Sequence, residues 1–198
     1  VREEPRRFDI SAIDFDLLRR EFAKVKKKNL VLKDLEEVIQ QKLDSMLFAN
    51  PDRINYYERY QQIIDDYNSE QDRATIEKTF MELMDLANQM SQEEQRYIRE
   101  GFTSDEELSL YDMLFRDDLS KTDIKKLKEV AASLLQKIKM KIAEFDHWTD
   151  KQETKAAIDN LIRDTLWAEL PECYDEVSIS MYRQQIYEYV YTRYRAVA

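Results

Sequence analysis

The chain has 198 residues, of which 43% are hydrophobic, and a formal net charge of −10 at pH 7. This is enough apolar material for one good core. A single Gly disfavours sheet architectures and nucleotide cradles, because sheet turns and phosphate loops depend on Gly. One Cys and one His exclude an internal disulfide and disfavour a closed zinc site.

No apolar run approaches the roughly 18 residues of a membrane span, and the low Cys content is typical of an intracellular, here cytoplasmic, protein. Because the chain begins with Val1 and not with Met, we expect either a processed chain or, as the preferred interpretation, a fragment of a longer protein. The charge is uneven. Residues 1–33 carry ten Lys or Arg against six acids, and residues 121–141 carry seven Lys against two acids.

The first two predicted helices precede Asn50. Asp14 is the expected N-cap of the first, which ends in Lys26, Lys27 and Lys28, where cations suit the helix dipole. The second must end near Ala49, since the residue before a proline avoids helical geometry. Its apolar face consists of Leu32, Leu35, Ile39, Leu43, Met46 and Leu47. A domain boundary is predicted here, between residues 1–49 and 50–198.

The next helices are bounded by turn and capping signals. Asn50 with Pro51 starts the third helix, whose predicted face is Ile54, Tyr57, Tyr60, Ile64 and Tyr67. The fourth covers residues 72–99 and ends at Gly101, for which we predict a left-handed conformation. Thr103-x-x-Glu106 is the predicted capping box of the fifth helix.

The sixth and longest predicted helix, from Ser120 to Phe145, has the clearest helical period. Its apolar positions are Ile124, Leu127, Val130, Ala131, Leu134, Leu135, Ile138, Ile142 and Phe145. Lys121, Lys125, Lys128 and Lys139 share one flank, either as a solvated face or as contacts to DNA phosphates.

Two further helices complete the prediction, an irregular all-α bundle of about eight helices around the long central amphipathic helix. Thr149-x-x-Gln152 is the expected cap of the seventh helix, which ends at Leu170-Pro171, and Ser178 is the expected cap of the eighth. The last helix buries one face made of Ile179, Tyr182, Ile186, Tyr189 and Val190. Trp167, Tyr187, Tyr191 and Tyr194 lie off the main apolar faces, either as a partner interface or packed against neighbouring helices.

The sequence predicts no catalytic, cofactor or metal site in this chain. Glu144-x-x-His147 has the spacing of a metal-binding pair, but a matching second motif needs a second His. Nothing in the sequence assigns a role to Cys173. An assembly domain is therefore preferred to a stand-alone enzyme.

Three blocks resemble the C-terminal end of the R (motor) subunit of type I restriction–modification enzymes, closest to the IC subclass. They are NPDRINYYERYQ at 50–61, GFTSDEELSLYD at 101–112 and DHWTDKQETKAAIDNLI at 146–162. The resemblance covers nearly the whole chain. It implies nuclease and ATP-driven translocase domains upstream of Val1, with ATP and Mg²⁺ as their cofactors, and makes residues 1–49 the end of a preceding helical domain.

The resemblance also implies that this region docks the motor subunit onto the methyltransferase core of M and S subunits, close to double-stranded DNA. A DNA-contacting helical module, based on Lys26, Lys27, Lys28 and the lysines of the long helix, is the alternative. A free-standing helical adaptor unrelated to restriction is a further one.

Overall fold

The computed structural model describes residues 15–69 and 73–195. Within these ranges the chain forms nine α-helices and no strand, which confirms the all-α prediction. The helices are α1 (Phe15–Lys24), α2 (Lys28–Ala49), α3 (Ile54–Ser69), α4 (Arg73–Glu94), α5 (Arg96–Arg99), α6 (Asp105–Leu114), α7 (Lys121–Ala143), α8 (Gln152–Glu169) and α9 (Glu176–Tyr194). The helix predicted at 72–99 is interrupted at Gln95, which accounts for the additional element. The expected cap Asp14 lies outside the described residues.

The chain divides into two compact units, residues 1–96 and 97–198. The division falls after α4 and not at the predicted 49/50 position, because the apolar face of α2 shares one core with α3 and α4. The predicted origin of residues 1–49 as the end of a preceding domain stays a prediction.

The first unit is built on α2, whose predicted face is buried at Leu32, Leu35, Ile39, Leu43 and Met46. In α3 the predicted face is partly wrong. Ile54 is 49% exposed, and Ile63 is buried. Pro51–Arg53 form a short 3₁₀ turn ahead of α3, which shifts the helix start. Asn50 does act as the cap, since its side chain accepts a hydrogen bond from the amide of Asp52 at 3.1 Å.

The second unit is a four-helix bundle in which α7 packs against α6 and α8, and α9 closes the ring against α8 and α6. The central helix buries seven of its nine predicted apolar positions, and Ile124 and Phe145 pack against the same core partly buried. The predicted inner face of α9 is also buried throughout. Burial of these stripes is what holds an α-helical bundle together.

Gly101 has the predicted left-handed conformation, with φ +83°. Its amide donates to the carbonyl of Ile98 at 3.1 Å, and the amide of Phe102 donates to the carbonyl of Tyr97 at 2.9 Å. These two bonds form a Schellman turn. The turn brings Phe102 into the core of the bundle.

The predicted cap of α6 is one residue too early. Ser104, not Thr103, accepts the hydrogen bond of the first turn, from the amide of Glu107 at 3.3 Å. Thr103 belongs to the connection that follows the Schellman turn, and its amide and hydroxyl donate to the carboxylate of Glu107 at 2.7 and 2.8 Å. Glu106 is thereby available for other partners.

The predicted caps of the last two helices are also wrong. Lys151 precedes α8 without a side-chain cap, and Thr149 lies in the turns that carry the buried Trp148. In α9 the cap is Asp175, whose carboxylate accepts from the amide of Ser178 at 2.8 Å, so Ser178 already lies inside the helix. None of the helices in the described ranges is long and apolar enough to cross a lipid bilayer.

Candidate interaction surfaces

One end of the bundle is closed by aromatic side chains around Trp148, which is 1% exposed. Its indole N–H donates to the carbonyl of Tyr194 at 3.1 Å. The ring of Tyr191 lies edge-on to Trp148 at 5.8 Å and 80°, and that of Tyr187 at 6.4 Å and 90°. The three tyrosines Tyr187, Tyr191 and Tyr194 are half-buried and pack against the core of the bundle itself.

An ion cluster at the same end joins three helices through Glu106. Its carboxylate accepts from Arg193 Nε of α9 at 2.8 Å and from Lys139 of α7. Burial by itself would raise the pKa of Glu106, but the hydrogen bonds from Lys139 and Arg193 outweigh it and hold the pKa below its ordinary value. This cluster fixes the ends of α6, α7 and α9 relative to one another.

Trp167 lies at the opposite end of the α8–α9 pair and is 62% exposed, as its position off the apolar face of α8 predicts. Asp159 and Arg183 pair between the two antiparallel helices, with Nε to Oδ1 at 2.7 Å. Trp167 lies eight residues beyond Asp159, and Tyr191 lies eight residues beyond Arg183 in the other direction. At 1.5 Å per residue they are about 24 Å apart along the helices. The four aromatic residues proposed for one interface therefore do not form one surface.

The first two turns of α9 carry two further exposed apolar residues, which the sequence pattern had not identified as site candidates. Val177 is 78% and Met181 is 49% exposed. They are spaced i, i+4 on α9, opposite the buried face that contains Ile179, Tyr182 and Ile186. A helical wheel of α9 therefore predicts that Val177 and Met181 are exposed. We refer to Trp167, Val177, Met181 and the intervening residues 170–176 as the α8–α9 corner.

The four lysines on the flank of α7 differ in their contacts: two form ion pairs within the bundle and two are exposed. Lys128 Nζ binds Glu100 Oε2 at 2.7 Å and lies 5.7 Å from the rings of both Phe102 and Tyr111. Lys139 binds Glu106. Lys121 and Lys125 are exposed, and the described part of the chain shows no ion pair for either of them.

The lysines after α1 do not end that helix as predicted, because α1 ends at Lys24 and Lys28 is the first residue of α2. Lys28 forms an ion pair with Glu77 and lies 5.2 Å from the ring of Phe22, so it acts within the first unit. Lys26 and Lys27 are exposed beside a groove that Val25, Leu30 and Ile76 also line.

Residues 3–188 match the family described as type I restriction enzyme HindI endonuclease subunit-like, C-terminal. The chain belongs to this family. The recognition made from the sequence is confirmed, and this family consists of the C-terminal part of an endonuclease subunit. No curated protein and no solved structure matches the chain.

Glu144, His147 and Cys173 are the residues that the sequence analysis considered for metal binding or thiol chemistry, and all three lie in the part of the chain that the structure describes. Among the described residues, no group of three His, Cys, Asp or Glu side chains could hold a metal ion. Glu144 binds Lys141 at 2.6 Å, and His147 is exposed after the end of α7 with φ 51°. Cys173 is exposed in the α8–α9 corner, and its carbonyl accepts from Arg116 at 3.1 Å.

Proposed function

We propose that this region docks the ATP-dependent translocase and endonuclease subunit of a type I restriction enzyme onto its methyltransferase core of M and S subunits. Family membership supplies the enzyme class. ATP and Mg²⁺ would serve domains of the subunit other than this one. The proposal assigns this chain an assembly role and no chemical step.

The observation that carries the proposal is the exposure of Trp167 on a bundle that buries its other tryptophan. Trp167 is 62% exposed and Trp148 is 1% exposed. Tryptophan is enriched among the residues that contribute most to protein–protein binding, and an exposed one on a rigid helix is already positioned to enter a partner's pocket. Three half-buried tyrosines, Tyr187, Tyr191 and Tyr194, pack against the core of the bundle. Only the exposed part of each ring could contact a partner.

The test is co-purification of the methyltransferase core with the full-length subunit carrying Trp167→Ala. We expect assembly at least tenfold weaker with an unchanged melting temperature, because the side chain stabilises little in the free protein. Met140→Ala is the matched control, since Met140 is an apolar residue of α7 with 64% exposure. Wild-type assembly of Trp167→Ala would remove the α8–α9 corner from the interface.

Direct DNA contact is a second candidate, and the contrast among the α7 lysines favours one pair for it. Lys121 and Lys125 are exposed, whereas Lys128 and Lys139 are ion-paired with Glu100 and Glu106. A lysine that neutralises a phosphate releases a counterion, which makes binding salt-dependent.

Two double variants of the assembled enzyme separate these roles. Lys121→Gln with Lys125→Gln should reduce the slope of log K against log salt by up to about 2 and leave the melting temperature unchanged. Lys128→Gln with Lys139→Gln should lower the melting temperature and leave that slope unchanged. If the slope is the same in all three proteins, α7 does not contact DNA.

A further inference from the structure

The α8–α9 corner combines apolar side chains with an excess of acids. Between Asp159 and Glu188 the chain has seven Asp or Glu and two Arg. Both arginines are used within this segment, since Arg163 pairs with Asp164 and Arg183 pairs with Asp159. Among the acids, Glu169 is paired with Lys137 of α7.

Three exposed carboxylates of the corner remain without a cationic partner among the described ion pairs, namely Glu172, Asp175 and Glu176. Glu188 lies about 18 Å further along α9 and does not belong to the corner. Asp175 stays charged because its hydrogen bonds with Ser178 at the start of α9 hold its pKa below the ordinary value. Two cations bond to backbone carbonyls of the corner. Arg116, at Cys173, is bound to Asp118 at 2.6 Å, and Lys126 of α7 donates to the carbonyl of Leu170 at 3.4 Å. The three carboxylates outnumber Lys126, which has no carboxylate partner among the described ion pairs. The corner is therefore negative, and phosphate groups are repelled from it.

The size of the apolar patch limits what it can bind. Three side chains with 49–78% exposure present a few hundred Å² in total, far less than the roughly 800 Å² per partner of a standard protein interface. An area of this size corresponds to a single helix laid across the surface. The acids around it complement Lys or Arg on the flanks of that helix.

We propose that the α8–α9 corner binds a basic amphipathic helix of a protein partner, with its apolar face on Trp167, Val177 and Met181 and its cations beside Glu172 and Glu176. This inference rests on the proposed docking function and adds the chemistry of the docked segment. It assigns the contact to protein and not to DNA.

Tryptophan fluorescence of the 198-residue chain can measure binding at the corner directly, because the chain contains only Trp148 and Trp167. Acrylamide reaches the exposed Trp167 and not the buried Trp148, so the quenchable fraction of the fluorescence reports on the corner. The probe is a synthetic Leu/Lys peptide of about 18 residues, which is five helical turns with Leu on one face. The same peptide with Glu in place of Lys, and a short DNA duplex, serve as comparisons.

The Leu/Lys peptide is expected to shield Trp167, and neither the Leu/Glu peptide nor the duplex is expected to do so. The double variant Glu172→Lys with Glu176→Lys should weaken binding of the Leu/Lys peptide at least tenfold. The matched control, Glu153→Lys with Glu188→Lys, makes the same change in net charge at exposed sites at the other end of the α8–α9 pair and should bind as the wild type does. Val177→Asn should also weaken peptide binding, because it removes an apolar contact without changing the charge. Val177 is 78% exposed, so the substitution is not expected to unfold the chain.

Equal weakening by the two charge-reversal pairs would overturn the inference, because attraction would then depend on net charge alone. Shielding of Trp167 by the duplex would overturn it in favour of a nucleic-acid contact.

Co-purification of the methyltransferase core separates the two proposals. If Trp167→Ala abolishes assembly and Glu172→Lys with Glu176→Lys does not, docking stands and the basic helix is wrong. If the peptide results hold and every variant assembles, the corner binds a basic helix of another partner and docking at this corner is wrong.

Discussion

Replacing Tyr191 with Ala distinguishes internal packing from an interface at the aromatic end of the bundle. Tyr191 is half-buried, with its ring 5.8 Å from Trp148 and 6.3 Å from Tyr187. A tyrosine carries about 200 Å² of surface, so removing about 100 Å² of burial costs roughly 2.5 kcal/mol. Loss of the edge-on contact to Trp148 adds about 0.5–1 kcal/mol. We therefore expect the free energy of unfolding to fall by about 3 kcal/mol.

For a protein of this size, the same change corresponds to a melting temperature lower by roughly 6–12 °C, measured by circular dichroism. Tyr191→Phe is the control, because it keeps the ring against Trp148 and should melt close to the wild type. Assembly with the methyltransferase core should persist at temperatures where Tyr191→Ala is folded. A loss below about 1 kcal/mol together with abolished assembly would refute the packing argument and return Tyr191 to the interface.

Three further predictions concern a turn, a cap and the ion cluster. Gly101→Ala should cost about 1 kcal/mol in denaturant titrations, since its φ of +83° strains any side chain although the space beside it is open; an unchanged midpoint would contradict this. Asp175→Ala should cost about 1 kcal/mol and Thr149→Ala little, because only Asp175 caps a helix; the reverse order would restore the sequence-based assignment. Glu106 has a lower pKa folded than unfolded, so its contribution is complete above its unfolded pKa near 4.5 and is lost as the pH falls below that value. Glu106→Gln should therefore flatten the pH dependence of stability there, and an unaltered profile would exclude the cluster as its source.

The buried faces of the helices and several helix ends could be predicted from the sequence, because they depend on residues that are close together in the chain. The buried face of α7, the inner face of α9 and the end of α8 before Leu170-Pro171 all agree with the structure. The left-handed Gly101 was predictable because it is the only glycine in the chain and follows a long helical pattern. The family was also predictable, since its motifs are contiguous stretches of sequence.

The helix starts were less predictable because neighbouring polar residues compete for each cap. Thr103 and Ser104 are both good N-caps, and the Schellman turn at Gly101 decides between them by fixing the position of Phe102. In α8, burial of Trp148 takes Thr149 away from the helix start. Local propensity is a weak preference that tertiary packing overrides.

By itself, the sequence determined the all-α class, the helices with strong apolar periods and the family, since each of these depends on residues close together in the chain. Only the tertiary structure decided which lysines and aromatic residues are available to a partner. Lys139 is bound to Glu106, and Tyr191 packs against Trp148, while Lys125 and Trp167 remain exposed. These pairs join residues that are 33 and 43 positions apart, and a contact across that distance exists only once the helices have packed.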